Sequence, residues 1–571
     1  MPGIWTPLTH QPTFAASTMF LLTDGTVMCQ EGGGLNWWKL SPDAFGDYMN
    51  GTWSSLAPMH FTRLYYASAV LKDGRVLVAG GEYSNGGSET NKAEIYDPAL
   101  DTWTEIAAPP GWMRIGDAAC SLLPDGRFFL GNLDDTRTAI YDPETNVWEP
   151  GASKDDRSSE ESWVLLPDQT VLSVECTHHP KAEKYLAPGD IWVSAGTLPQ
   201  DLVEPASIEI GPALLLPDGR VFNIGATGHN ALYTPPALAS QPGTWSPGPD
   251  FPHDAAGHTL GAKDAPACLL PNGNVLCVAG PVTGNFGDFL GPTSFFEFDG
   301  TNLHRIPDPP NAGGPPFVGR MMLLPTGQVL FAAGSAALHV YTPSGGPDPA
   351  WRPSITSHPT DVRPLYTYTL QGRQLNGLSQ AVGYGDDSSA ATNYPLVRLR
   401  NIHTGQVRYC KTFDHSTMGV ATGTVIHSTQ FKVPLGLHPG DYELVVVANG
   451  IASTPVYLRV HPFRLIHGLD ETLVNFLIGS LADGPLWVLG PHGPVPVDPW
   501  GPAFAKEAQE ARRAVVHGLR ELQALGAKVA KLRTKATSLI PPAVDPEYEE
   551  ARAKAATAPT AKQAETVKVR S

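Results

Sequence analysis

The chain of 571 residues exceeds one ordinary domain, and its 58 glycines and 55 prolines describe a turn-dense β-protein. A formal net charge of −17 argues against nucleic acid or an anionic membrane as the main partner, because phosphate is repelled. No apolar run reaches the roughly eighteen residues a membrane span needs, and Met1 to Ser17 lacks a basic start and an apolar core. The expectation is a soluble protein of the cytoplasm, with unconventional export left open.

From the N-terminus, one unit recurs at spacings of roughly fifty residues. Its turns are Leu22-Thr23-Asp24-Gly25, Leu71-Lys72-Asp73-Gly74, Leu123-Pro124-Asp125-Gly126, Leu166-Pro167-Asp168-Gln169, Leu216-Pro217-Asp218-Gly219, Leu270-Pro271-Asn272-Gly273 and Leu324-Pro325-Thr326-Gly327. Pro presets φ, Asp or Asn caps its own backbone, and Gly accepts the positive φ of a bulged hairpin. Each turn therefore joins two strands. A third strand follows at Ile95-Tyr96-Asp97-Pro98, Ile140-Tyr141-Asp142-Pro143, Leu232-Tyr233-Thr234-Pro235 and Val340-Tyr341-Thr342-Pro343. An outer strand then carries Trp53, Trp103, Trp148, Trp192, Trp245 or Trp351, with Leu303-His304 standing in for the sixth unit. Four strands make a blade, so residues 1–352 read as a seven-bladed β-propeller. Gly3-Ile4-Trp5-Thr6 also resembles an outer strand, which gives eight candidates for seven hairpins and implies that one terminus closes the ring.

Residues 353–462 abandon the blade pattern for alternating stretches such as Pro395-Leu396-Val397-Arg398-Leu399 and Tyr442-Glu443-Leu444-Val445-Val446-Val447. These predict an immunoglobulin-like β-sandwich, making the described fold class all-β. Residues 463–540 hold an apolar, Gly-broken stretch, a Pro-rich stretch, and a helix expected over Ala503 to Lys535 with Val515, Leu519, Leu522, Val529 and Leu532 at three- and four-residue steps. That helix is expected to pack on the body, contact a partner or self-associate. Residues 541–571 are poor in apolar anchors and are expected to be disordered. Six cysteines without a CxxC pair read as buried thiols, and Cys268 and Cys277, flanking one turn symmetrically, are expected to lie opposite each other.

Arg63-Leu64-Tyr65-Tyr66, Asp73-Gly74-Arg75-Val76, Gly80-Gly81, Ile95-Tyr96-Asp97-Pro98 and Thr102-Trp103 together resemble the kelch repeat of galactose oxidase, glyoxal oxidase and their relatives. Gln430-Phe431-Lys432-Val433-Pro434, Pro439-Gly440-Asp441-Tyr442 and Ala448-Asn449-Gly450 are similar to the early-set sandwich that follows the propeller in that family. The resemblance implies a copper held by two tyrosines and two histidines, one tyrosine being joined to a cysteine. Counting eight residues back from each turn Asp or its equivalent places Ala16 at the cysteine and Tyr65 at the cross-linked tyrosine, with Phe317 and Val318 at the adjacent Tyr-His pair. The fourth ligand is implied after Tyr384-Gly385, where the next residues are Asp386-Asp387-Ser388-Ser389. Only Tyr65 is retained, so no metal and no cofactor are expected, copper belonging to an alternative in which His415 or other histidines are redeployed.

The same offset, read across all seven units, gives Ala16, Tyr65, Asp117, Glu160, Ile210, Asp264 and Val318, with Arg63, Arg114 and Glu209 close by. Loops between second and third strands add Tyr83, Asp134-Asp135, Cys176-Thr177-His178-His179, His229 and Asn285-Phe286. These residues predict an acidic, aromatic mouth over the central channel. The candidate ligand-binding set is Arg63, Tyr65, Tyr83, Arg114, Asp117, Glu160, His178, His179, Glu209, His229 and Asp264. Adjacent His178 and His179 lack the spacing of a metal motif and read first as a solvent-facing loop. The leading expectation is a carbohydrate- or protein-binding module without copper. The alternative is an enzyme, either a noncanonical copper radical oxidase of alcohols, aldehydes or sugars, or a hydrolase using the acidic mouth; a third possibility is assembly through the C-terminal helix.

Overall fold

A computed structural model describes residues 2–85, 87–384 and 390–462, and two further strands, Trp487–Gly490 and Gly493–Pro496. Among the described residues, seven four-stranded units follow one another. The first is built from Ala16–Leu21, Val27–Glu31, Trp37–Ser41 and Thr52–Leu56, each pairing antiparallel with the next. The seventh takes Gly319–Leu323, Val329–Ala333 and His339–Thr342 from the end of the propeller, and its outer strand, Ile4–Pro7, from the beginning. Closure therefore falls to the N-terminal strand. Trp351, expected on an outer strand, instead lies in the 3₁₀ turn Pro349–Trp351 and packs its indole over Gly273.

Turn chemistry and aromatic pairing explain the repetition. In the first unit the Asp24 carboxylate accepts from Thr26 N–H at 3.0 Å, and Asp73, Asp125, Asp168, Asp218 and Asn272 do the same for the residue two positions on. Gln169 holds φ 71° where the other turns use glycine. Across the outer strand pair of five units, Tyr faces Trp: Tyr96–Trp103, Tyr141–Trp148, Tyr185–Trp192, Tyr233–Trp245 and Tyr341–Trp5 lie 4.8 to 5.5 Å apart. Such pairs add about 0.5–1.5 kcal/mol each beyond burial. The indole N–H then crosses to a carbonyl in or just after the outer strand of the preceding unit: Trp53 donates to His10, Trp103 to Ala57, Trp148 to Ala107, Trp192 to Ala152, Trp245 to Ala195 and Trp5 to Pro307. These tryptophans staple neighbouring blades together.

The second region is a sandwich-like sheet that curls and stays open. Nine strands form one sheet because Val407–Phe413 pairs with Leu396–Asn401 along its first part and with Ile426–Lys432 at its end, carrying the ladder from one layer into the other. Its core gathers Leu370, Val397, Leu399, Cys410, Phe431, Leu444, Val446 and Leu458. This sheet caps the hairpin-turn end of the propeller: Thr412 N–H donates to the Thr23 carbonyl, His415 N–H to Lys72 and Met418 N–H to Pro124. A three-residue strand, Val382–Tyr384, leaves the sheet and adds itself to the inner edge of the sixth blade against Pro266, Ala267 and Cys268.

Cys268 and Cys277 are not opposite each other. The extra residue in the Asn272-Gly273 turn shifts the register by one, pairing Ala267 with Cys277 and Cys268 with Leu276, so the thiols point to opposite faces. All six cysteines are buried. Within the C-terminal unit, Trp487–Gly490 and Gly493–Pro496 pair as an antiparallel hairpin, its prolines tolerated because a two-stranded ribbon is all edge. The helix expected over 503–535 and the tail at 541–571 lie outside the described residues. No described helix is long and apolar enough to cross a membrane.

Candidate functional site

Opposite the turn end of the propeller, Tyr65, Glu82, Tyr83, Asp117, Glu160, Ser207, Glu209, Asp264, Phe286, Phe289 and Phe317 line a cleft of about 420 Å³. The backbone aims its side chains inward through conformations that L-residues seldom adopt: Tyr65 has φ 47°, Tyr83 53°, Glu160 61° and Asp264 46°. Strain of this kind persists where surrounding structure over-determines it, and it concentrates at functional sites. Asp264 shows the local cause. It interrupts the inner edge of the sixth blade between Thr259–Gly261 and Pro266–Leu269, both of which pair with Val275–Val282, so the chain bulges there and turns the carboxylate into the cleft.

Glu160, Glu209 and Asp264, from the fourth, fifth and sixth blades, bring one carboxylate oxygen each within 4.8 Å of the others. At an effective dielectric of 20 each ionised pair at that separation repels by about 3.5 kcal/mol, and three pairs approach the whole stability of a domain, about 10 kcal/mol. The trio therefore requires a shared proton or a bound cation, beyond the help of Lys263 and Arg320. Burial, then the charges of Asp264 and Glu160, push the Glu209 carboxyl well above the usual range. Burial also raises Asp264, against the pull of its Glu209 hydrogen bond and of Arg320 and Lys263. Asp117, on the same wall, is pushed up to about 7 by burial and then by the Glu82 charge.

Aromatic rings form the rest of the mouth. Tyr65 and Tyr83 meet edge to face at 6.2 Å, and Tyr83 and Phe286 are 58% and 84% exposed, a large apolar area held in water at the opening. Beneath them, the Arg320 guanidinium lies 3.7 Å from the Tyr384 ring and 5.4 Å from the Tyr65 ring, and its Nη1 donates to the carbonyls of Phe317 and Gly319.

Other expected site residues lie elsewhere. Arg63 is fully buried in the second blade, where Nη1 donates to Gly80 and Lys92 carbonyls and Nη2 to Glu94, because its chain direction at an inner-strand start points it into the blade instead of the channel. Arg114 sits on the rim beside Glu82 and Tyr83, paired with Asp134 and Glu89. His179 contacts Asp201 at 2.5 Å and His229 contacts Asp250 at 3.0 Å, while His178 lies 3.8 Å from Asp155; these side chains are partly exposed and none lines the cleft. His415 is buried under the turn end, with Nδ1 at 2.9 Å from the Thr429 hydroxyl. Glu82, Ser207, Phe289 and Arg320 join the site without having been singled out; the position of Glu82 directly after Gly80-Gly81 and before Tyr83 was the available signal.

Copper does not fit these residues. Ala16 stands where a cysteine is needed, Phe317 and Val318 offer no donor, and the guanidinium of Arg320 places a permanent cation against the rings of Tyr65 and Tyr384. The fourth position lies outside the described residues. The donor groups that do converge among the described residues are oxygen-rich: Glu160 with Glu209 and Asp264, and Asp156 with Glu175 and His178.

A model of the kelch motif matches residues 63–110, the second blade. The kelch-like protein terF of Aspergillus terreus is 34% identical over 126 residues, 21% of this chain and 26% of its own length. A galactose oxidase of Gibberella zeae is 38% identical over 60 residues, 10% of this chain and 9% of that protein. The chain thus spans about a quarter or less of these two relatives. Among solved structures, a fungal alcohol oxidase of the AA5 family in complex with copper aligns over 81% of this chain and 99% of its own, at 15% identity and a TM-score of 0.46. With the motif matched in one blade and its four-stranded unit repeated around the ring, the chain is a kelch-repeat, galactose-oxidase-like propeller followed by a curled sandwich domain.

Proposed function

We propose that this protein is an enzyme, a hydrolase acting on a polyhydroxylated substrate such as a glycoside in the acidic front-face cleft. The convergence of Asp117, Glu160, Glu209 and Asp264 in one aromatic-walled cleft carries the reading. A module that only recognised hydroxyls would have no need to crowd three carboxylates at a cost of several kcal/mol. Hydrolysis needs a group that moves a proton and a group that polarises or assists the attack. Asp117 supplies the first and the trio the second, while Tyr65 and Tyr83 provide faces for a sugar ring.

The test is a panel of chromogenic glycosides assayed with the full chain and with Asp117→Asn. Cleavage that falls at least about 100-fold in the variant, with its melting temperature unchanged or raised, supports the assignment. Equal rates in the two proteins refute it. An oxidoreductase of alcohols, aldehydes or sugars is the second reading, favoured by the retained Tyr65 and by the matched segment of galactose oxidase. It requires nitrogen donors from outside the described residues. Peroxide release on alcohols and sugars after copper loading, abolished in Tyr65→Phe, would establish it in place of the hydrolase.

A further inference from the structure

We propose that Glu160, Glu209 and Asp264 bind a hard divalent cation of calcium size at the front of the channel. The inference rests on the hydrolase reading and names what the carboxylate trio holds. Two oxygens bound to one calcium ion at 2.3–2.6 Å stand no more than about 5 Å apart, and the three oxygens here lie within 4.8 Å of one another. Magnesium demands near-ideal octahedral geometry at about 2.1 Å and is usually bound through one or two carboxylates, so a trio of carboxylates suits calcium better. The donors are all carboxylate oxygens, which suit a hard ion and not copper.

A second observation points into the same space. Glu209 is 7% exposed, and its Oε2 has no hydrogen-bond partner although it is buried. An orphaned carboxylate oxygen at such depth is costly unless an ion or proton meets it. The nearby ammonium of Lys263 is engaged otherwise, donating to the Ser207 hydroxyl at 2.5 Å and to the Asp288 carbonyl at 3.4 Å and lying 4.0 Å from the centre of the Phe289 ring. The other carboxylate group contrasts with this one. Asp156 already accepts the backbone N–H groups of Thr177 and His178, and Glu175, whose own two oxygens also lack a hydrogen-bond partner, lies 3.6 Å from the buried Lys154. There a buried ammonium, shared with Glu161 and Glu183, already sits among the carboxylates. With three protein ligands, a calcium-sized ion at the trio keeps coordination positions free for water or substrate hydroxyls.

Terbium luminescence tests the site on the full chain after chelator treatment, because Tyr65 and Tyr83 stand beside it as sensitisers. The expected result is saturation at one ion per chain, displacement by Ca²⁺ at lower concentration than by Mg²⁺, and affinity weakened at least about tenfold in Glu209→Gln and in Asp264→Asn. Asp156→Asn leaves the affinity unchanged, and melting temperatures verify that all variants fold. Absence of sensitised emission up to about 1 mM terbium, or affinity in the two trio variants equal to that of the unsubstituted chain, overturns the inference and leaves a shared proton as the trio's occupant. Glycoside cleavage that persists in chelator with no ion bound discards the cation and keeps the hydrolase. An ion bound at the trio without cleavage of any glycoside discards the hydrolase and keeps the ion.

Discussion

Replacing Arg63 with Met strands Glu94 in the core of the second blade. The two charged groups meet at 2.9 Å with no exposure on either side chain, and the remaining Glu94 oxygen contacts His60 Nδ1 at 2.6 Å. At an effective dielectric of 20 the attraction at that distance is about 6 kcal/mol, most of which repays desolvation. Removing one partner of such a pair costs about 3–5 kcal/mol. The Gly80 and Lys92 carbonyls, which accept from Nη1 at 2.7 and 2.8 Å, lose a donor as well. Arg63→Met should therefore lower the calorimetric melting temperature by several degrees, as should Glu94→Leu, and the double variant should recover about half of the summed loss. The cation affinity and glycoside cleavage of the folded variant should match wild type. An additive double variant, or a stable Arg63→Met protein whose cleft no longer works, would refute the assignment of Arg63 to structure.

Two further outcomes follow from the fold. Burial lowers the His415 imidazole to about 3. The unfolded chain, with a histidine near 6.5, thus takes up a proton that the fold refuses, so stability is full above about pH 6.5 and falls as the pH drops toward 3, by about 2–3 kcal/mol at pH 4.5. His415→Gln should flatten the melting temperature against pH between 6.5 and 4; an unchanged slope would place the histidine in water. Gln169→Gly should raise the melting temperature slightly, because φ 71° costs a glutamine about 1 kcal/mol that glycine avoids, and a fall would show that the glutamine side chain is needed there.

The repeat was legible because each blade spells its own turn and its apolar inner strand within some fifty residues, and four of them add a Tyr-Trp pair, so local chemistry suffices. Tyr65, Asp117, Glu160 and Asp264 were legible by their common offset from the turns, since equivalent positions of a ring face one channel. Glu209 falls one step off that count: Ile210 occupies the equivalent slot and is buried, and Ile208 takes φ 65°, swinging the glutamate into the cleft. The inward course of Arg63 was not legible, since proximity in sequence to a channel position says nothing about which way a side chain leaves the strand. The stacking of Arg320 on Tyr384 depends on a strand contributed from another region, a long-range contact without a local signature. The one-residue register shift that separates Cys268 from Cys277 is likewise set by turn conformation and not by symmetry of spacing.

The short strand Val382–Tyr384 has a consequence for biosynthesis. The inner edge of the sixth blade acquires its last ladder partner only from residues some hundred positions downstream, with Leu269 N–H finding the Ala381 carbonyl at 2.7 Å. A ribosome that has released every blade has yet to deliver this partner. A chain cut at residue 352 would leave the inner edge of the sixth blade as open as those of the other six, with the Leu269 amide facing its own hub.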